Sequence, residues 1–216
     1  SVGAVLSLSL FSERLQGALK ERSAAFIAAD AQLRSDTPID EAWLQHARDG
    51  GLNTAKQVTT RSMVFHRDEM SLVDLRAVNE NYPLKGTVNT TDVPFGQKEA
   101  ARDLPKPGEV WLQSLLFQTL KLSLGDSIEI GDAEFTVTKV LVDIPDAGFS
   151  VFNTDPIALI RLSDLDATAI TGPGSRARYV GYFEGESSAI STFYDWLTPS
   201  LNDDLHNWRT VEDDES

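Results

Sequence analysis

The sequence predicts an α+β fold built as two lobes, with a β-rich lobe inserted into a second lobe made from both chain ends. Three observations carry this. Segments before Tyr82 read strand, helix, strand, strand, and segments after Gly174 read strand, helix, strand. Between them the texture changes to short apolar strands divided by Pro and Gly. Two amphipathic helices, one in each flanking part, supply the layer that would cover a sheet.

Each element has a local reason. Leu8, Phe11, Leu15, Ala18 and Leu19 recur near helical spacing, so residues 6–24 read as a helix. Residues 25–33 alternate weakly and read as a strand. Thr37-Pro38-Ile39-Asp40 is a helix start, with Thr37 as the cap, Pro38 at the first helical position and an acid near the positive end of the dipole. That helix runs to Arg48, carries Ile39, Trp43, Leu44 and Ala47 on one face, and stops at Gly50-Gly51.

Residues 56–65 and 69–78 are strands joined through His66-Arg67-Asp68. Pro94, Gly96, Pro105 and Pro107 make residues 86–108 a loop. Beyond it come a strand at 109–112 and a short helix at 114–120, with Leu115, Leu116, Thr119 and Leu120 inward. A hairpin follows at 127–130 and 133–142 through Gly131-Asp132, then a strand at 156–162. Residues 176–183 form a strand. A helix at 187–201 lines up Ile190, Phe193, Tyr194, Leu197 and Leu201, with Pro199 near its end. Residues 207–211 are the last strand, ahead of an acidic tail.

Bulk properties exclude whole classes. The 216 residues carry 19 basic and 33 acidic side chains, a formal charge of -14, so nucleic-acid phosphates are repelled and no basic stripe is present. There is no cysteine, hence no disulfide and no thiolate metal site. No apolar run reaches the roughly 18 to 20 residues that span a bilayer. The uncharged opening, Ser1 to Phe11, reads either as the trailing end of a membrane helix or as a buried strand or core helix.

Residues with reaction chemistry are scattered. His46, His66 and His206 lie far apart and read as surface or loop histidines; zinc would need them to converge in space. Ser175 lies in no nucleophile elbow. Gly172-Pro173-Gly174-Ser175-Arg176 reads as a crossing between lobes rather than an anion cradle. Asp203-Asp204 and Asp213-Asp214 lack the ligand count of a calcium loop. A carboxylate pair of the glycosidase kind stays open. Phe95, Trp111, Phe149 and Phe152, in or beside loops of the inserted lobe, are candidates for a ligand or partner surface, set against closure of that lobe's own core.

The order of Tyr82-Pro83-Leu84-Lys85-Gly86, Pro107-Gly108-Glu109-Val110-Trp111-Leu112, Leu124-Gly125-Asp126-Ser127-Ile128-Glu129-Ile130-Gly131, Ile144-Pro145-Asp146, Asp164-Leu165-Asp166-Ala167-Thr168 and Gly172-Pro173-Gly174-Ser175-Arg176 resembles the extracytoplasmic domain of ABC-transporter permeases of the MacB/FtsX-like type. Within these it is similar to the predicted permeases genetically associated with lysophospholipase L1. The resemblance implies a membrane-proximal helix at 1–23, a porter-like lobe at 24–82 and 174–216, and an inserted lobe of the Sabre kind at 83–173. It implies residence on the periplasmic side of the bacterial inner membrane, no cofactor and no catalysis. It also implies a cytoplasmic ABC ATPase subunit as partner, a periplasmic esterase or accessory protein, and a hydrophobic or lipid-like substrate moved by mechanotransmission. Where the related pattern carries an Arg near 155–158, this chain has Asp155. The competing expectations are a secreted or periplasmic binding protein for a hydrophobic ligand, and a hydrolase.

Overall fold

In the computed structural model, residues 10–16, 18, 27–147 and 154–211 are described. The elements in order are β1 (Ala31–Ser35), α1 (Glu41–Asp49), β2 (Asn53–His66), β3 (Glu69–Val78), β4 (Asn89–Thr91), β5 (Glu99–Ala100), β6 (Glu109–Gln113), α2 (Ser114–Thr119), β7 (Ser127–Ile130), β8 (Ala133–Asp143), β9 (Ile157–Arg161), β10 (Arg178–Glu184), α3 (Ser187–Leu197) and β11 (His206–Thr210). The class is α+β, a large mixed sheet with few helices.

Strand β2 organises the sheet. Its first half pairs antiparallel with β10, its whole second half with β3, and Val64 and Phe65 with Ile130 and Glu129 of β7. Strand β3 pairs parallel with β9, β9 antiparallel with β6, β6 parallel with β8, and β8 antiparallel with β7. The circuit β2-β3-β9-β6-β8-β7 therefore closes on itself as a small barrel. Alternation fills it: Val58, Val64, Val73, Leu75, Ala77, Val110, Leu112, Ile128, Phe135 and Ile160 point inward, and Leu116, Phe117 and Leu120 from the α2 region join them. Outside the circuit, β10, β1 and β11 extend the sheet on one side, β4 and β5 on the other.

Helices α1 and α3 cover the β1-β10-β11 part. Leu44 and Ala47 of α1 meet Phe193 and Leu197 of α3 over Leu33 and Phe183. Phe183, Phe193 and Trp208 form a tilted aromatic stack with centroids 4.8 to 6.0 Å apart.

Register fixes the two poles. Ala31 stands opposite Thr210 on one side and Phe183 on the other, and Phe183 stands opposite Thr54. The entry into β1 and the exit from β11 are thus neighbours. Val211 N–H donates to Asp30 at 3.3 Å, and Ile27 packs on Val211. From Thr54, β2 runs on to His66, about 40 Å at ~3.3 Å per residue, so the β2–β3 turn lies at the opposite pole. Arg67 takes φ +54 in that two-residue turn.

Several expectations need correction. The expected 25–33 strand begins only at Ala31; residues 27–30 turn first, with Ala28 at φ +60. The cap of α1 is Asp40, whose carboxylate accepts from Ala42 N–H at 2.9 Å, whereas the Thr37 hydroxyl pairs with Ser35. The 86–108 segment contains β4 and β5. On α2, Phe117 is buried with Leu116, while Leu115 and Thr119 face outward. Helix α3 ends at Leu197, and Thr198–Ser200 tighten into a 3-10 turn at Pro199. Of the expected 6–24 helix, residues 10–16 and 18 are helical, and the rest lies outside the described residues, as does the acidic tail.

Candidate functional site

Strands β2, β3 and β10 carry polar side chains on a face where apolar ones would suffice. Gln57, Asp74 and Arg76 are buried there, and Tyr82 and Tyr182 close over them. Gln57, Thr59, Asp74 and Arg76 share one face because residues 57 and 59 stand opposite 78 and 76 in the ladder. The turn after β8 supplies the last member, Asp146.

Asp146 is gripped from three directions. Tyr82 donates its hydroxyl to Oδ1, Tyr182 donates to Oδ2, and Gln57 Nε2 donates to Oδ2 at 2.9 Å. Arg76 is held by Asp74, with Nε and Nη2 donating to Oδ2 at 2.9 and 2.8 Å, and by Gln57 Oε1 at 3.1 Å. Its guanidinium also reaches the backbone carbonyls of Asp146 and Ala147 at 3.5 and 3.4 Å. Thr59 Oγ1 completes Asp74 at 3.0 Å. The network ties residues 57, 74, 76, 82, 146 and 182 into one unit.

Its electrostatics are those of a latch. Burial first, then the nearby Asp146 charge, pushes both the Tyr82 and Tyr182 phenols well above their usual range, so each is a fixed donor at neutral pH. Burial acts to lower the Arg76 pKa, yet the Asp74 charge and hydrogen bond outweigh it, and the net shift is upward. Phenols held protonated and a permanently charged guanidinium supply neither a general base nor a nucleophile. What they do is hold the β8–β9 connection against β2, β3 and β10.

A groove of about 670 Å³ adjoins the latch, and Tyr82 belongs to both. Pro83, Val88 and Leu104 give it apolar wall. Glu80, Asp103, Arg102, Lys106 and Arg161 give it charge. Arg161 Nε donates to the Pro105 carbonyl at 3.0 Å.

Of the four aromatic candidates, Trp111 and Phe95 are among the described residues and differ in exposure. Trp111 is 2% exposed, packs beside Tyr82, Leu141 and Leu159, donates its indole N–H to Thr138 Oγ1 at 3.1 Å and lies under Lys139. It is a core residue: the alternation of β6 sends Val110 and Leu112 into the barrel and Trp111 to the opposite face, where Tyr82, Leu141 and Leu159 cover it. Phe95 is 64% exposed, with φ +61. Phe149 and Phe152 lie outside the described residues. His66 is buried, not a surface residue: its Nδ1 is 2.7 Å from the Leu120 carbonyl and its Nε2 3.7 Å from Asp126 Oδ2. His46 stacks on Trp196 at 3.7 Å, and His206 meets Trp43 edge-on. Among the described residues no three metal-ligating side chains converge, and no helix is long and apolar enough to cross a membrane. Asp155 faces Arg61, whose Nη2 is 2.5 Å from Oδ2.

Nothing local in Ile144-Pro145-Asp146 points to the latch. The available signal was Asp74 and Arg76, two charges at i and i+2 inside an apolar strand.

The comparisons agree with this architecture. No protein-family model matches the chain. Over 215 residues, all of its length, it is 34% identical to the uncharacterized ABC transporter permease YbbP of Escherichia coli, of which it spans 26%. In fold it is similar to the extracellular domain of the noncanonic ABC-type transporter YknZ from Gram-positive bacteria, with a TM-score of 0.55 and 12% identity over 83% of this chain and all of that one. The periplasmic region of MacB from Actinobacillus actinomycetemcomitans gives a TM-score of 0.55 and 10% identity over 89% of this chain and 94% of that one. The chain thus shares its fold with these two transporter domains and its sequence with one part of an ABC transporter permease. It corresponds to about a quarter of the length of its permease relative.

Proposed function

We propose that this domain transmits force for an ABC transporter permease, coupling ATP-driven movement of membrane helices to export or extraction of a hydrophobic, lipid-like substrate. The observation that carries the proposal is the pairing of β1 with β11, which sets the two ends of the described domain side by side at one pole. Movement of either end passes directly into the sheet. Strand β10 hands it to β2, and β2 conveys it to the far turn through a continuous hydrogen-bonded ladder. The closed barrel and the latch make that path stiff.

In this reading 24–82 and 174–216 form the porter-like lobe, 83–173 the inserted lobe, and 1–23 the membrane-proximal helix. The partners are a cytoplasmic ABC ATPase subunit, acting through the full-length permease, and a periplasmic esterase or accessory protein. The domain performs no catalysis of its own; the phenols and guanidinium of the latch support that reading.

The test uses the full-length permease with its ATPase in a lipid nanodisc. Spin labels go to Arg67 at the far turn and Asp195 on α3. The label at Arg67 should move relative to the bilayer between nucleotide states, while the Arg67–Asp195 distance stays fixed. A far turn whose depth does not change on ATP binding or hydrolysis overturns the proposal.

A further inference from the structure

The groove beside Tyr82 differs in charge from the rest of the molecule. The whole chain has 19 basic against 33 acidic residues, but the groove is lined by Arg102, Lys106 and Arg161 against Glu80 and Asp103. None of the three cations makes an ion pair among the described residues. Arg161 spends its Nε on the Pro105 carbonyl, which fixes the guanidinium while leaving its other nitrogens for a ligand. Apolar side chains lie among these charges: Pro83 and Leu104 are part-exposed in the groove, Val88 is buried, and Leu104 packs against the cluster that holds Trp111 and Tyr82. The volume, about 670 Å³, is that of a site for a small molecule.

Cations beside apolar side chains complement an amphiphile whose head is an anion. We propose that this groove binds the anionic headgroup, carboxylate or phosphate, of a single-chain amphiphile, with Arg102, Lys106 and Arg161 on the head and Pro83 and Leu104 along the first carbons of the tail. The proposal rests on the transport reading and narrows its substrate class. Tyr82 lines the groove with its ring while its hydroxyl holds Asp146, so an occupant touches the residue that closes the latch.

Calorimetric titration of the 216-residue chain tests it with four probes below their micellar concentrations: dodecyl phosphate, dodecanoate, dodecanol and inorganic phosphate. Dodecyl phosphate and dodecanoate should bind at least tenfold more tightly than dodecanol. Arg102→Glu combined with Lys106→Glu should weaken both by tenfold or more at unchanged melting temperature, since both side chains are exposed. Lys106→Gln alone should give a smaller loss in the same direction. Dodecanol binding as well as the charged probes, or variants that bind like the native chain, overturns the assignment. Inorganic phosphate binding as tightly as dodecyl phosphate overturns the amphiphile and leaves a site for free anions. None of these outcomes alters the nucleotide-dependent displacement of the far turn, so the two readings fail separately.

Discussion

Tyr182 on β10 donates its hydroxyl to Asp146, a residue 36 positions earlier in the chain, and thereby pins the turn after β8 to the part of the sheet where β1 lies between β10 and β11. The same carboxylate takes Tyr82 and Gln57. Asp146→Ala would leave two buried hydroxyls without their acceptor and take from the Gln57 amide one of its two, the other being the Tyr182 hydroxyl. The expected loss is about 2 to 4 kcal/mol by chemical denaturation. Tyr182→Phe, which removes one donor, should cost about 1 to 2 kcal/mol.

Arg76 and Asp74 form a buried ion pair. Asp74→Leu leaves the Arg76 charge without its main partner and should destabilise by about 3 to 5 kcal/mol. Replacing both with apolar residues, Asp74→Leu with Arg76→Met, should cost less than either single change. A double-mutant cycle measures this, and simple additivity would contradict the pairing.

The latch also sets a pH dependence. Both phenols have folded-state pKa values above 10, the ordinary tyrosine value. Between that ordinary value and the raised one, the unfolded chain releases protons that the folded chain keeps. Their contribution is therefore fully present below about pH 10 and is lost as pH rises beyond it. Denaturation midpoints followed from pH 8 to 11 should fall steeply above 10, and Tyr82→Phe with Tyr182→Phe should flatten the slope.

Gly131 and Gly108 separate two effects of a side chain. Both have positive φ, 57 and 81, but a Cβ at 131 would sit 2.0 Å from the Thr168 carbonyl oxygen, whereas one at 108 meets nothing within 4 Å. Gly108→Ala should cost about 1 kcal/mol, the conformational part alone. Gly131→Ala should cost at least about 3 kcal/mol, because the β7–β8 turn must shift away from Thr168. Thermal unfolding of the two variants gives the comparison.

Asp40→Ala should lower stability by about 1 kcal/mol through loss of the α1 cap. Thr37→Ala tests the position that spacing alone favoured. Its hydroxyl reaches Ser35 rather than an α1 amide, so helicity should be unchanged by circular dichroism.

What the sequence discloses is what a short window contains. The hairpin of β2 and β3 and the β7–β8 turn at Gly131-Asp132 follow from alternation and turn chemistry, although the first turn is shorter than the expected His66-Arg67-Asp68, since His66 pairs with Glu69 inside the ladder. The face of α2 was misjudged because a six-residue helix lacks the length for its period to separate Leu115 from Phe117. Strands β4 and β5 are too short for any alternation to show. The latch lies beyond local reading altogether: Gln57, Tyr82, Asp146 and Tyr182 are joined only by the pairing order of the strands. Trp111 shows what parity adds. Beside a Pro-Gly turn an aromatic can face a partner or close the core, and the alternation of β6 places this one in the core.

The barrel is not equally strong all round. Strands β2 and β3 meet along their length from Gln57–Val78 to His66–Glu69, while the β2–β7 closure rests on Val64–Ile130 and Phe65–Glu129 alone. That short join is a seam. Amide protons there should exchange with solvent sooner than those of the β2–β3 ladder. If force enters at the β1–β11 pole, as proposed, it is the stitch that parts first, and the sheet would then unroll about β2 without breaking the longer β2–β3 ladder.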